Sequence, residues 1–151
     1  TWGNVLGLTP EAPHYMIPTF FPHEFTQRRV NAHPTFCEEG NYYRRDWSQL
    51  AWALSHLPDD CEFTIEAAGY GTLPLEILTS STRQHKIKAQ HLDDEQFMEF
   101  FQKCDYLLPL LDKNTDPDYL HSRLPSSVSI SLGYDIPVIA WSKMKDSYPM
   151  L

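Results

Sequence analysis

Residues 103–141 read KCDYLLPLLDKNTDPDYLHSRLPSSVSISLGYDIPVIAW, and this stretch decides the fold. It begins with a short apolar run, residues 106–111, and closes with another, residues 136–141, whose second residue is Pro137. Both runs have the length of strands, and proline is tolerated where a strand starts. Between them, serines 126 and 127 can cap a helix, and Gly133 stands where that helix would end. A strand, a loop, a helix and a returning strand form a βαβ unit.

The βαβ unit predicts where a ligand would bind. In parallel sheets, ligands lie outside the carboxyl ends of the strands, and helix N-termini attract anions. A helix that opens on serines after a strand therefore indicates a phosphate site.

Strand and helix patterns alternate through the preceding residues as well. Apolar spacings of three and four predict a helix between Asp46, its cap, and Pro58, which stops it. A second helix begins at Asp93 or Asp94 and runs towards Lys103. Strands are predicted at 34–40, 61–69 and 85–90, the last nearer an edge, with a short helix around 74–78. This alternation predicts an α/β, Rossmann-like three-layer domain with a mostly parallel sheet flanked by helices.

Residues 1–32 differ from the rest because prolines and aromatic residues are interleaved there, a density that forbids a long helix. We interpret them as an arm or interdomain linker, with residues 33–151 as the folded domain. An ordinary ordered N-terminal extension is the alternative interpretation.

Composition narrows the function classes. The 151 residues suit one domain, and a net charge of -8 argues against nucleic acid as a partner. No apolar run approaches the length of a transmembrane helix. Cys37, Cys61 and Cys104 lack CxxC spacing, so buried thiols and a cytoplasmic location are expected. The seven histidines show no HxxxH or HxH pairing, so no metal site is predicted.

The candidate site follows from what comes after each predicted strand. Glycines let a ligand approach the backbone closely, hydroxyls can donate hydrogen bonds to anions, and arginines can form forked hydrogen bonds to phosphate. Glu38 and Glu39 are excluded as a working pair because neighbours on a strand point to opposite faces. No catalytic nucleophile or base is evident. The predicted substrate-binding residues are Gly40, Asn41, Arg44, Arg45, Gly69, Gly71, Gln90, His91, Arg123, Ser126 and Ser127.

The order of these parts resembles the C-terminal, donor-binding domain of GT-B glycosyltransferases. The resemblance covers residues 33–142 and is strongest over 91–141. It rests on FCEEGNYYRR, the helix DWSQLAWAL, FTIEAAG, the acidic-capped LDDEQFMEFFQKC, the strand CDYLLPLL, and YLHSRLPSSVSISLGYDIPVIAW. The carboxylate pair of many retaining members is missing from the last helix, so the stereochemical outcome stays open.

The resemblance implies a function and a partner. The domain would bind a nucleoside diphosphate sugar as donor substrate, with no separate cofactor. Gly40 and Arg44 or Arg45 would approach the diphosphate, Gln90 and His91 would border the base, and Ser126 and Ser127 would meet phosphate or sugar. An N-terminal acceptor-binding domain would complete the enzyme, so this chain alone is expected to be inactive or nearly so.

A flavodoxin-like or receiver-like signalling or interaction domain without enzymatic activity is the alternative. A receiver needs its acceptor aspartate at the carboxyl end of a central strand. Asp105 precedes its predicted strand, which counts against a receiver.

Overall fold

The computed structural model describes residues 31–58, 60–80, 85–112, 114–115, 117–121 and 124–148. Nearly all of the predicted arm, residues 1–30, lies outside the described residues, and so does Arg123. Among the described residues, no helix combines the length and apolar character that crossing a membrane requires.

Four strands and six α-helices follow one another along the described chain, with a short 3₁₀ turn at Tyr42–Arg44. The strands are β1 (Thr35–Asn41), β2 (Phe63–Tyr70), β3 (His85–Gln90) and β4 (Tyr106–Leu107). The helices are α1 (Trp47–His56), α2 (Leu75–Thr79), α3 (Asp94–Gln102), α4 (Asp118–His121), α5 (Ser126–Tyr134) and α6 (Met144–Ser147).

The sheet has the order β3-β2-β1-β4, and all of its pairings are parallel. Helices α1 and α2 cover one face, where Trp47, Leu50 and Ile77 share a cluster with Ile65 of β2. Helices α3 and α5 cover the other, where Phe101 packs with Cys37 and Leu107. The predicted α/β, Rossmann-like three-layer fold is confirmed, and β3 is the edge strand that its short alternating sequence indicated.

The last predicted βαβ unit is present in a reduced form. Strand β4 has only two residues instead of the predicted six, because Pro109 has no N–H to donate and Leu110 adopts a positive φ of 49°. Residues 136–141 form no strand and contribute one parallel bridge, between Leu107 and Val138. Two hydrogen bonds make that bridge, from Leu107 N to Pro137 O (2.9 Å) and from Ile139 N to Leu107 O (2.8 Å).

Helix boundaries follow the predicted caps in two cases and differ in the third. Asp46 caps α1, and Asp93 caps α3 in a capping box with Gln96. Helix α5 was expected to have a serine cap, but Pro125 occupies its N-cap position without a side-chain hydrogen bond. Gly133, expected beyond its end, lies inside α5, and Asp135 ends the helix in the left-handed conformation (φ 53°).

Two of the three cysteines are not free thiols. Cys37 of β1 and Cys104, two residues before β4, form a disulfide, and Cys61 is the remaining free cysteine. Both bonded residues are buried as predicted, but the expectation of free thiols is wrong for this pair. The two sulfurs meet because β4 pairs with β1, a neighbourhood that residue spacing does not reveal. Because two of the three cysteines are bonded to each other, the cysteines no longer support the expected cytoplasmic location.

Candidate ligand site at the carboxyl edge of the sheet

The parallel register brings the predicted site residues together. Asn41 at the end of β1 lies opposite Tyr70 of β2, and Ala68 of β2 lies opposite Gln90 of β3. Helix α5 begins at the same edge, since Ser126 Oγ donates a hydrogen bond of 2.6 Å to Glu39 Oε1 of β1. Of the predicted set, only Arg123 lies outside the described residues.

The chain leaves β1 through a tight, capped turn. The side-chain oxygen of Asn41 accepts a hydrogen bond of 2.9 Å from Tyr43 N and so caps the 3₁₀ turn. Tyr43 and Arg44 are exposed on this turn. Arg45 is instead buried, at 9% exposure, although it directly follows Arg44.

Arg45 is engaged within the protein. Its Nε donates to Glu38 Oε1 at 2.6 Å, and its Nη2 donates to the backbone oxygen of Glu39. The same Nη2 lies 3.9 Å from Glu39 Oε1. Glu38 and Glu39 point to opposite faces, as strand geometry requires. One guanidinium nevertheless reaches both around the end of the strand, which the sequence interpretation did not foresee.

Gly40 makes this arrangement possible. A Cβ at Gly40 would lie 2.6 Å from Arg45 Nη2, and the residue has a φ of 110° that favours glycine. Gly69 has a comparable role, because a Cβ there would lie 1.9 Å from Gly40 O on the neighbouring strand. Both glycines were predicted to admit a ligand, and in the structure their free space is used by the protein itself.

Glu38 is an incompletely satisfied buried acid. Its side chain is fully buried, and within the described part of the chain its Oε2 has no hydrogen-bond partner. Burial raises the pKa of Glu38 to about 7, while the charge and hydrogen bond of Arg45 act in the opposite direction. Two carboxyl groups therefore share one guanidinium at this end of β1.

The β2 and β3 ends add further polar groups. The Nδ1 of exposed His91 lies 2.9 Å from Gly69 O, so Nδ1 donates and, in the neutral ring, Nε2 is the acceptor. The amide of Gln90 donates to Glu66 Oε2 at 3.3 Å. Beneath them, Tyr42 donates to Ala67 O at 3.0 Å, and burial raises the pKa of this phenol to about 12. Tyr42 therefore stays protonated at neutral pH.

Two exposed tyrosines at this edge were missed as site residues. The side chains of Tyr43 and Tyr70 are 74% and 58% exposed, and each follows or ends a strand. The ring of Tyr43 lies over Gly71, where a Cβ would be 3.1 Å from its Cε2. Exposed aromatic faces can stack on planar rings, so the position of these tyrosines at strand ends was the available signal.

The N-terminus of α5 supplies backbone donors. Ser126 is exposed and Ser127 is buried. No side chain caps this helix. Val128 N donates to Pro125 O at 3.1 Å, and the other amides of the first turn offer positive potential at the edge. Glu39 Oε1 already lies against Ser126, so a bound anion would have to share or replace that contact.

Asp105 lies at the opposite edge of the sheet. Its Oδ2 accepts hydrogen bonds from Thr35 N at 2.8 Å and from Asn31 Nδ2 at 3.2 Å. An acceptor aspartate of a receiver would stand at the carboxyl edge, so this position argues against that alternative.

Among the described residues, no group of three or more His, Cys, Asp or Glu side chains is arranged to hold a metal ion. No protein-family model and no curated protein matches the chain.

Proposed function

We propose that this domain binds the diphosphate of a nucleoside diphosphate sugar at the carboxyl edge of its sheet, as the donor-binding half of a GT-B glycosyltransferase. One observation carries the proposal: a helix with no side-chain cap, α5, begins beside the end of β1. Backbone amides at such a position bind phosphate oxygens without requiring a particular sequence.

The proposed contacts are assigned by exposure and position. Arg44 and Ser126 are exposed and would bind the diphosphate, with help from the amides of α5. Exposed His91 would border the base and can accept a hydrogen bond through Nε2. Tyr43 and Tyr70 offer ring faces for stacking on the base or the sugar. Arg45 is not included, because its side chain is buried within the cluster it forms with Glu38 and Glu39.

Sugar transfer also needs an acceptor and a base that removes the acceptor's proton. The exposed edge residues serve binding rather than proton abstraction, apart from His91. In the proposed enzyme, a second domain facing the carboxyl edge would bind the acceptor and supply the base. Binding without efficient transfer is therefore the expected property of this chain alone.

Calorimetric titration of the chain with UDP-sugars and GDP-sugars tests the proposal. Replacing Arg44 with alanine removes a hydrogen bond to a charged group and should weaken binding by about tenfold. The matched control is Lys103→Ala, which removes an equal charge from an exposed residue at the other end of the sheet. Its affinity should equal that of the unchanged chain in moderate salt.

The free nucleosides should bind markedly more weakly than the nucleoside diphosphate sugars, because the diphosphate makes most of the proposed contacts. Equal affinity for nucleoside and sugar nucleotide would contradict a diphosphate site. No binding of any nucleotide would favour the non-enzymatic interaction domain instead.

A further inference from the structure

A buried charged cluster lies beneath the proposed site and does not take part in its contacts. We call Glu38, Glu39 and Arg45 the glutamate–arginine cluster. All three side chains are buried, and the two carboxylates outnumber the guanidinium, which gives the cluster a charge of -1 when both are ionised.

Two donors are placed to compete for one oxygen of the cluster. Glu39 Oε1 accepts from Ser126 Oγ at 2.6 Å, and Arg45 Nη2 stands 3.9 Å away from the same atom. The Nε of Arg45 is bonded to Glu38 at 2.6 Å. While Glu38 is ionised, the arginine's charge is directed at Glu38, and Glu39 remains with Ser126.

Glu38 has a site for a proton. Its Oε2 is buried and has no partner among the described residues. The charged or titratable groups facing it are the Arg45 guanidinium, the Glu39 carboxyl and the Tyr42 phenol. Strand β2 presents Ala67 opposite Glu38, and β4 is followed by Leu108, so neither neighbouring strand adds a charge.

We propose that Glu38, Arg45 and Glu39 are positioning residues forming a proton-dependent link, which holds Ser126 and the N-terminus of α5 while Glu38 is ionised and releases them to an anion when Glu38 is protonated. A proton on Oε2 brings the cluster to zero net charge. Arg45 then attracts Glu39, and the Ser126 hydroxyl becomes available. The identity of the anion rests on the proposed function, whereas the link itself does not.

Both consequences of protonation favour anion binding. Removing one negative charge beneath the proposed diphosphate site reduces repulsion of the anion, and the freed hydroxyl adds a donor. Burial supports the same behaviour by raising the pKa of Glu38 to about 7, within the neutral range.

The test uses NMR on the full chain, with carbon-13 in the glutamate carboxyls and nitrogen-15 in the backbone. The Glu38 carboxyl and the Ser126 amide should titrate with one shared midpoint near neutral pH. In Glu38→Gln the Ser126 amide should stay at its low-pH position throughout. Glu62→Gln, an exposed acid at the amino edge paired with His33, should titrate like the unchanged chain.

Affinity for a nucleoside diphosphate sugar provides the second measurement, since its diphosphate does not titrate near neutral pH. Between about pH 8 and about pH 6, the affinity of the unchanged chain should rise about fivefold more than the affinity of Glu38→Gln. Any contribution of His91 at the site is the same in both proteins. Should Glu38→Gln not fold, Glu39→Gln should remove the Ser126 midpoint while the Glu38 carboxyl still titrates.

Different midpoints for Glu38 and Ser126, or a Ser126 midpoint that survives in Glu38→Gln, would overturn the link. So would identical pH profiles of affinity in the two proteins. A shared midpoint without any sugar-nucleotide binding would support the link and overturn the proposed function.

Discussion

Asp105 and Glu38 are buried carboxylic acids of the same parallel sheet, Asp105 at its amino edge and Glu38 at the fourth of the seven residues of β1. Asp105, at the amino edge, accepts hydrogen bonds from Thr35 N and from the Asn31 side chain, which contacts both of its oxygens at 3.2 Å. Glu38, near the carboxyl edge, has one oxygen on Arg45 and one with no partner in the described structure. The same kind of group is therefore satisfied at one edge and left incomplete at the other.

We interpret the amino edge as structural and the carboxyl edge as the one that binds the ligand of the proposed function. Fully bonded buried acids stabilise a fold, whereas groups that break a local rule tend to mark working sites. The carboxyl edge also exposes Tyr43 and Tyr70 and holds a helix without a side-chain cap. The following substitutions test whether the two edges differ as the structure indicates.

Arg45→Ala should have the largest effect on stability. Removing the guanidinium leaves Glu38 and Glu39 buried without their partner, which should lower the free energy of unfolding by about 3–5 kcal/mol. Urea denaturation at neutral pH measures this loss. Arg44→Ala, at the exposed neighbouring position, should cost far less, and similar losses for the two arginines would contradict the burial of Arg45.

Glu38 should make stability depend on pH. Because its pKa is raised from 4.5 to about 7, this contribution to stability is fully present below about pH 4.5 and is lost as the pH rises through 7. The shift corresponds to about 3 kcal/mol. Relative to the unchanged chain, Glu38→Gln should become more stable by about that amount between acid and mildly alkaline pH. Parallel urea midpoints for both proteins across this range would show that Glu38 titrates normally.

Asp105→Asn should lower stability, by less than Arg45→Ala does and in the opposite direction to Glu38→Gln. The amide group cannot accept all the hydrogen bonds that the carboxylate accepts from Thr35 and Asn31, so unfolding should become easier by about 2 kcal/mol. Thermal and urea unfolding at neutral pH measure it. If this variant were as stable as the unchanged chain, the amino edge would not be held as the contacts indicate.

The sequence predicts the layers of this fold better than it predicts what happens at the ends of the strands. Alternating residues in β1 predict correctly that Glu38 and Glu39 face opposite sides, because the two-residue repeat of a strand is a local property. The path of Arg45 around the strand end could not be predicted, since it depends on space left by Gly40 in three dimensions. The disulfide and the early end of β4 likewise depend on which strands become neighbours and on the turn at Leu110.

The site residues show the same difference between what a local pattern predicts and what depends on the folded structure. His91 and Ser126 follow from listing what comes after each strand or opens a helix, and both are exposed at the predicted edge. Exposure itself is not readable from a single sequence, so Arg44 and Arg45 looked equivalent until burial separated them.

Amide chemical-shift mapping with a nucleoside diphosphate sugar tests the central claim, that the carboxyl edge binds the ligand, most directly. The largest shifts should fall on residues 41–44, on Tyr70 and Gly71, on His91, and on Ser126 and Ser127. Residues 31–35 and Asp105 should be nearly unaffected. Shifts concentrated at this amino edge, or none at saturating ligand, would contradict the account.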